Sequence, residues 1–177
     1  SGVTVAVVDS GVAAGNQHFN ASGKTVVLPG VDFSGENTDG RVDVGEHGTA
    51  IAGAIAAQQL PSSVGSGLIG VAPDAQTGLE QGGNANPKQG EETFMQRVAR
   101  AIRWASDHGA QIIEVAHSSA ESDPQLEAAI QAVRSRSLVV ASTGNTYQDQ
   151  QDKQIVYPAA YEGVLAVTAS NADGSSS

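Results

Sequence analysis

Three side chains of different chemistry stand where short apolar runs begin or stop. Asp9 closes Val3-Thr4-Val5-Ala6-Val7-Val8, and His47 opens Gly48-Thr49-Ala50-Ile51-Ala52-Gly53-Ala54-Ile55-Ala56-Ala57. Asn145 follows Ser137-Leu138-Val139-Val140-Ala141-Ser142-Thr143-Gly144. A carboxylate can orient an imidazole, a neutral imidazole can take a proton from a nucleophile, and a side-chain amide can donate to a developing oxyanion. A helix N-terminus disfavours imidazolium, which suits a histidine that must accept a proton. Each residue alone also has a plainer reading: Asp9-Ser10-Gly11 as a turn, His47 as a capping or core histidine, Asn145 as a helix cap.

The elements that must position them follow from the hydrophobic pattern. Val3 to Val8 reads as a buried parallel strand, and Thr25-Val26-Val27-Leu28 before Pro29-Gly30 as a second. The run behind His47 is apolar all round, which predicts a helix enclosed by the fold and reaching about Leu60, before Pro61. Between them, Asp32 to Glu46 is a polar, acidic loop. A weak strand is expected around Gln76 to Glu80, then a polar loop from Gly82 to Gly90. Glu91 to His108 is amphipathic, with Phe94, Val98, Ala101, Ile102 and Ala105 at helical spacing and Gly109 placed to cap it. Gln111 to Ala116 is a strand, and Asp123-Pro124 opens a helix whose apolar face is Leu126, Ala129, Ile130 and Val133. Ser137 to Ser142 and Gly163 to Thr168 complete the strands. This alternation predicts one α/β domain over residues 1–177, three-layered, with helices on both faces of a parallel sheet. Function in such sheets gathers beyond the carboxyl ends of the strands, which here carry Asp9, His117 and Asn145.

Composition narrows the chemistry. Nineteen acidic against nine basic residues leave a net charge of −10, which argues against nucleic acid and anionic membrane as partners. There is no cysteine, so disulfides, thiolate catalysis and cysteine-bound zinc are excluded. No apolar run has membrane-spanning length and nothing looks like a secretory signal. Gly65-Ser66-Gly67-Leu68-Ile69-Gly70 spells GxGxxG, but it follows a helix and leads into a proline, the wrong setting for a dinucleotide. A phospho-acceptor role for Asp9 would need a neighbouring acidic cluster for magnesium, and no carboxylate adjoins it in sequence.

Read together, these words resemble the subtilisin-like serine peptidases. Val7-Val8-Asp9-Ser10-Gly11-Val12 is similar to that family's aspartate motif, and His47-Gly48-Thr49-Ala50-Ile51-Ala52-Gly53 to its histidine motif. Gly70-Val71-Ala72-Pro73-Asp74-Ala75, Val139 to Asn145, and Tyr157-Pro158-Ala159-Ala160-Tyr161 resemble further family words in the same order. Val27-Leu28-Pro29-Gly30-Val31-Asp32-Phe33 and the acidic lead-in to His47 look most like the mycosins, the actinobacterial branch linked to type VII secretion, though the paired cysteines of that branch are missing. The resemblance implies an extracellular or cell-surface endopeptidase acting on peptide or protein substrates. In it, Asp9 orients His47, His47 activates a serine, and Asn145 donates to the oxyanion. Ala116, His117 and Ser118, with Ala141, Ser142, Thr143 and Gly144, would flank the substrate.

The sequence departs from the family in two ways. No Gly-Thr-Ser-x-Ala-Ala-Pro word carrying the nucleophile occurs, and Ser175, Ser176 and Ser177 read as a flexible tail. Losing the nucleophile of a triad costs roughly a million-fold in rate, so the expectation is an inactive peptidase core. The alternative is a non-catalytic peptide-binding or engineered scaffold module. Second, Glu114 and Ala116 stand where the family has Asn and Ser, and Thr77 to Gly82 is unusually polar. Such polarity would suit sheet surface bared by a missing helix, as in a shortened or redesigned core. No cofactor is expected. The family's calcium finds little here: Gln58 to Gly70 offers no carboxylate or asparagine, and Asp32 to Glu46 has no recognisable ligand spacing.

Overall fold

The computed structural model describes residues 2–34, 39–72, 76–81, 92–144 and 155–173, with backbone alone for 76–81. Six strands, β1 (Thr4–Asp9), β2 (Val31–Asp32), β3 (Gln76–Gln81), β4 (Ile112–Val115), β5 (Leu138–Ser142) and β6 (Val164–Val167), form one sheet in the order β2-β3-β1-β4-β5-β6. Every pairing is parallel; the central register sets Val7 beside Leu79 on one side and Glu114 on the other. The helices are α1 (His47–Ala56), α2 (Phe94–Asp107) and α3 (Pro124–Val133).

Alternation along β1 divides the core. Ala6 and Val8 join Ile113, Val115, Val139 and Ala141 beneath α2 and α3, where Val98, Ile102, Leu126 and Ile130 are buried. Val7 faces the other way, with Val12, Phe19, Val26, Val27 and the Ala52 and Ala56 face of α1. Helices therefore lie on both faces, as the alternation predicts. Caps fix where two of them begin. Thr93 and Gln96 form a reciprocal capping box at α2, and Asp123 Oδ1 accepts from the amides of Gln125 (2.8 Å) and Leu126 (3.0 Å) at α3.

Three local expectations change. Thr25 to Leu28 is not a strand of the sheet: Val26 and Val27 plug the core beneath α1, and the paired segment is Val31–Asp32. The apolar run answers a demand for packing, not for ladder bonds. α1 stops at Ala56, because the amides of Gly70, Val71 and Ala72 run across its end and donate to Ala57, Ala54 and Ile55. That crossing needs Gly70, since a Cβ there would lie 2.6 Å from the Ala56 and Ala57 nitrogens. Finally, α1 is not enclosed. Gly48, Ala52, Gly53 and Ala56 are buried, whereas His47, Ala50 and Ala54 are exposed. Within these residues, the small side chains Gly48, Ala52, Gly53 and Ala56 serve close approach on the buried face.

Candidate active site

Asp9 is the last residue of β1 and is fully buried. Its Oδ1 accepts from the Ser10 amide at 2.6 Å, and its Oδ2 accepts from His47 Nδ1–H at 2.7 Å. His47 is the first residue of α1, with 56% of its side chain exposed. One ring nitrogen is thus held by a buried carboxylate while the ring itself faces solvent. In the neutral ring this leaves Nε2 as the acceptor.

Backbone contact brings the two together. A Cβ on Gly48 would sit 2.2 Å from the Gly11 carbonyl oxygen and 3.0 Å from Asp9 Cβ, so only glycine lets α1 start this close to the end of β1. The Ala13 amide donates to Thr49 Oγ1 at 2.9 Å across the same junction. Glu46, at the N-cap with φ of 60°, gives no side-chain cap. Asp43 caps the helix instead, its carboxylate accepting from Ser10 Oγ (2.7 Å), the Gly45 amide (2.9 Å), the Thr49 amide (2.8 Å) and the Thr49 hydroxyl. Ser10 Oγ in turn accepts from the Gly48 amide at 3.1 Å. Burial pushes the Asp43 carboxyl up, but the bonds from Thr49, Ser10 and Gly45 outweigh it and hold it below the usual carboxylate range. In the sequence Asp43 is merely one acid of a polar loop. Its position three residues before a cap that cannot bond its own helix is the signal that would have found it.

His117, just beyond β4, lies near the pair, its ring centroid 6.3 Å from that of His47 and edge-on to Phe94 at 5.0 Å. Burial holds its imidazole below the ordinary value, Asp9 pulls it up and His47 pushes it down. Glu114 lies on the same face of the sheet as Val7, its register partner on β1. It sits half-buried in β4, a central strand between β1 and β5, and Oε2 is buried with no hydrogen-bond partner among the described residues. Burial, then the charge of Asp9, push its carboxyl up to about 7 against a downward pull from His47.

The two segments expected to flank a peptide meet beyond β4 and β5. Ala116 and His117 are half-buried and Ser118 is exposed, and a Cβ on Gly144 would lie 3.6 Å from Ser118 Oγ. Ala141 is buried, Ser142 half-buried and Thr143 exposed; the Gly144 amide donates to Ser142 Oγ at 3.1 Å. A cavity of about 410 Å³ opens between Thr93–Met95 and Ser118–Asp123. Asn145, the expected oxyanion donor, lies outside the described residues, as do Pro73, Asp74 and Ala75, the expected loop from Gly82 to Gly90, Glu91 at the start of the expected helix, and Ser175 to Ser177. The polar side chains of Thr77 to Gln81 also lie outside them. Calcium fits the described residues poorly. No three His, Asp or Glu side chains converge there, Asp39 is engaged by Arg41, and Asp43 by the bonds above. No described helix is long and apolar enough to cross a membrane.

A carboxylate-held imidazole at the carboxyl edge of a parallel α/β sheet is half of the acid–base apparatus by which serine hydrolases activate a hydroxyl. The chain belongs to the subtilase family, whose model matches residues 1–177. It is 32% identical to subtilisin BL of Lederbergia lenta over 172 residues, covering 97% of this chain and 56% of that protein. Among solved structures, MycP1 with its N-terminal propeptide removed is similar across 100% of this chain and 59% of its own, with a TM-score of 0.79 and 28% identity. MycP3 protease from the type VII (ESX-3) secretion system matches 99% of this chain and 55% of its own, with a TM-score of 0.76 and 27% identity. The chain thus spans little more than half the length of these relatives. The likeness to mycosins agrees with the words around Val27 to Phe33.

Proposed function

We propose that this chain carries the acid–base half of a subtilisin-like serine endopeptidase, within one core domain over residues 1–177. Asp9 orients the ring, His47 Nε2 takes the proton of an attacking serine and returns it to the leaving amine, and Asn145 donates to the oxyanion. Ala116 to Ser118 and Ala141 to Gly144 flank the peptide backbone. The observation that carries this reading is the 2.7 Å bond from His47 Nδ1 to the buried Asp9 carboxylate, with the ring open to solvent on its other side. The substrates are peptides or proteins, not nucleic acid or membrane. The place of action is extracellular or at the cell surface, in keeping with the secretion system from which MycP3 comes.

No serine in the 177 residues stands in the family's nucleophile word. We therefore infer that these residues alone bind but do not cut peptides, which is also the observation behind the second reading, a non-catalytic peptide-binding or scaffold module. Two measurements on the chain test this. A fluorogenic peptide should stay intact, and turnover abolished by His47→Ala would overturn the inference of inactivity. A substrate-like peptide should perturb the NMR signals of Ala116 to Ser118 and Ala141 to Gly144. If the folded chain shows no such shifts at millimolar peptide, the cleft is not there.

A further inference from the structure

A serine–histidine contact lies outside the Asp9–His47 site. His18, in the 3-10 turn Gln17–Phe19, places Nδ1 3.1 Å from the main-chain oxygen of Gln58 and Nε2 2.8 Å from Ser66 Oγ. A carbonyl oxygen has no hydrogen to give, so Nδ1 is the protonated nitrogen and donates to it. In the neutral ring Nε2 then presents a lone pair, and the Ser66 hydroxyl donates to Nε2. This is the polarity that nucleophilic catalysis requires: hydroxyl aimed at base, and base oriented by a third group.

The surroundings suit a small apolar reactant. His18 and Ser66 are both half-buried, so neither is sealed from solvent. The segment bearing Ser66 exposes three large apolar side chains, Val64, Leu68 and Ile69, at 45%, 48% and 51%. Gly67 is open, with nothing within 4 Å of where a Cβ would stand, so the main chain beside Ser66 can be approached.

We propose that Ser66, with His18 as its base, is a nucleophile that accepts acyl or phosphonyl groups from small activated apolar esters. Ser66 Oγ bonds to the carbonyl carbon of an aryl ester while its proton passes to His18 Nε2. The carbon–oxygen bond to the aryl group breaks and aryloxide leaves, and His18 gives its proton to the aryloxide or to solvent and is neutral again. Water then attacks the acyl-Ser66 ester, giving its proton to His18 Nε2, and Ser66 departs reprotonated. Aryloxide leaves unaided whereas the amine of a peptide does not, so the activity is esterolytic. These residues are separate from Asp9 and His47, so either reading can fail without the other.

The test uses a fluorophosphonate: Ser66 Oγ forms the phosphorus–oxygen bond, the phosphorus–fluorine bond breaks, fluoride leaves and the proton goes through His18. Peptide mapping by mass spectrometry of the folded chain should place the adduct on Ser66, and Ser66→Ala should remove it. His18→Gln keeps an amide oxygen for the serine to bond but supplies no base. It should slow labelling about a hundredfold, within the range of a lost general base, with circular dichroism unchanged. The urea-unfolded native chain should not label at Ser66. No adduct, an adduct on another serine, equal labelling of His18→Gln, or equal labelling of the unfolded chain would each overturn the proposal.

Discussion

Glu114 places a carboxyl inside a sheet, and the consequence can be measured. Its folded pKa of about 7 stands well above the ordinary 4.5, first through burial and then through the charge of Asp9. Between those two values the folded state holds a proton that the unfolded chain has released, so stability falls as pH rises through the window. The penalty is absent below about 4.5 and complete above about 7. At roughly 1.4 kcal/mol for each pH unit separating them, the whole effect is about 3 kcal/mol, a large share of the about 5–15 kcal/mol that holds a domain together. At pH 5 part of the penalty is already present, which leaves about 2–3 kcal/mol to appear between pH 5 and 8.5.

The perturbation is Glu114→Gln, which keeps the shape and removes the charge. Urea unfolding of both proteins at pH 5 and pH 8.5 gives four free energies, and the difference of differences cancels the titrating groups that do not interact with this carboxyl. The substitution should stabilise the protein at pH 8.5 by about 2–3 kcal/mol more than at pH 5. A ¹³C titration of the Glu114 carboxyl should show its midpoint near 7, and Asp9→Asn should move that midpoint down by the smaller part of the rise, since burial is the larger cause. A pH-dependent gain below about 0.5 kcal/mol, or a midpoint in the usual carboxylate range, would mean that water reaches Glu114 and that burial does not govern its proton.

Asp43→Ala removes the acceptor for Ser10, Gly45 and Thr49 and should cost about 2–4 kcal/mol in urea unfolding. Because the folded Asp43 pKa is lowered, its contribution is fully present above the ordinary 3.8 and lost as pH falls through the folded value, so Asp43→Asn should flatten the acid limb of the stability curve below about pH 4. Gly48→Ala puts a methyl 2.2 Å from the Gly11 carbonyl oxygen, where backbone rather than a flexible side chain must yield. Thermal unfolding should register a loss above about 3 kcal/mol, and the His47 Nδ1–H signal bonded to Asp9 should disappear from the NMR spectrum.

The sequence made legible what depends on periodicity and on caps. The β-branched run ending at Asp9 is the central strand, Asp123-Pro124 starts α3, and Gly109, with φ of +87°, follows the end of α2. What escaped depends on long-range contact. Nothing local distinguishes Val26 and Val27 from a strand; only the packing beneath α1 gives them another use. Glu114 sits in the ladder between Val7 and Val140, a pairing that its polarity alone does not reveal. The His18–Ser66 contact joins residues 48 positions apart, beyond any motif spacing.

The Asp9–His47 geometry rests on a junction that is complete within the first 50 residues. Gly48 packs against Gly11, Thr49 accepts from Ala13, and Ser10 and Asp43 tie the end of β1 to the start of α1. Each contact is made by main chain or by short side chains with few rotamers, so little entropy is spent in holding it. None of them needs the nucleophile. The chain is therefore built so that the buried carboxylate and the imidazole are held together by the fold. An imidazole prepared in this way can serve whatever hydroxyl reaches its open side, provided that the hydroxyl comes within about 3 Å of Nε2.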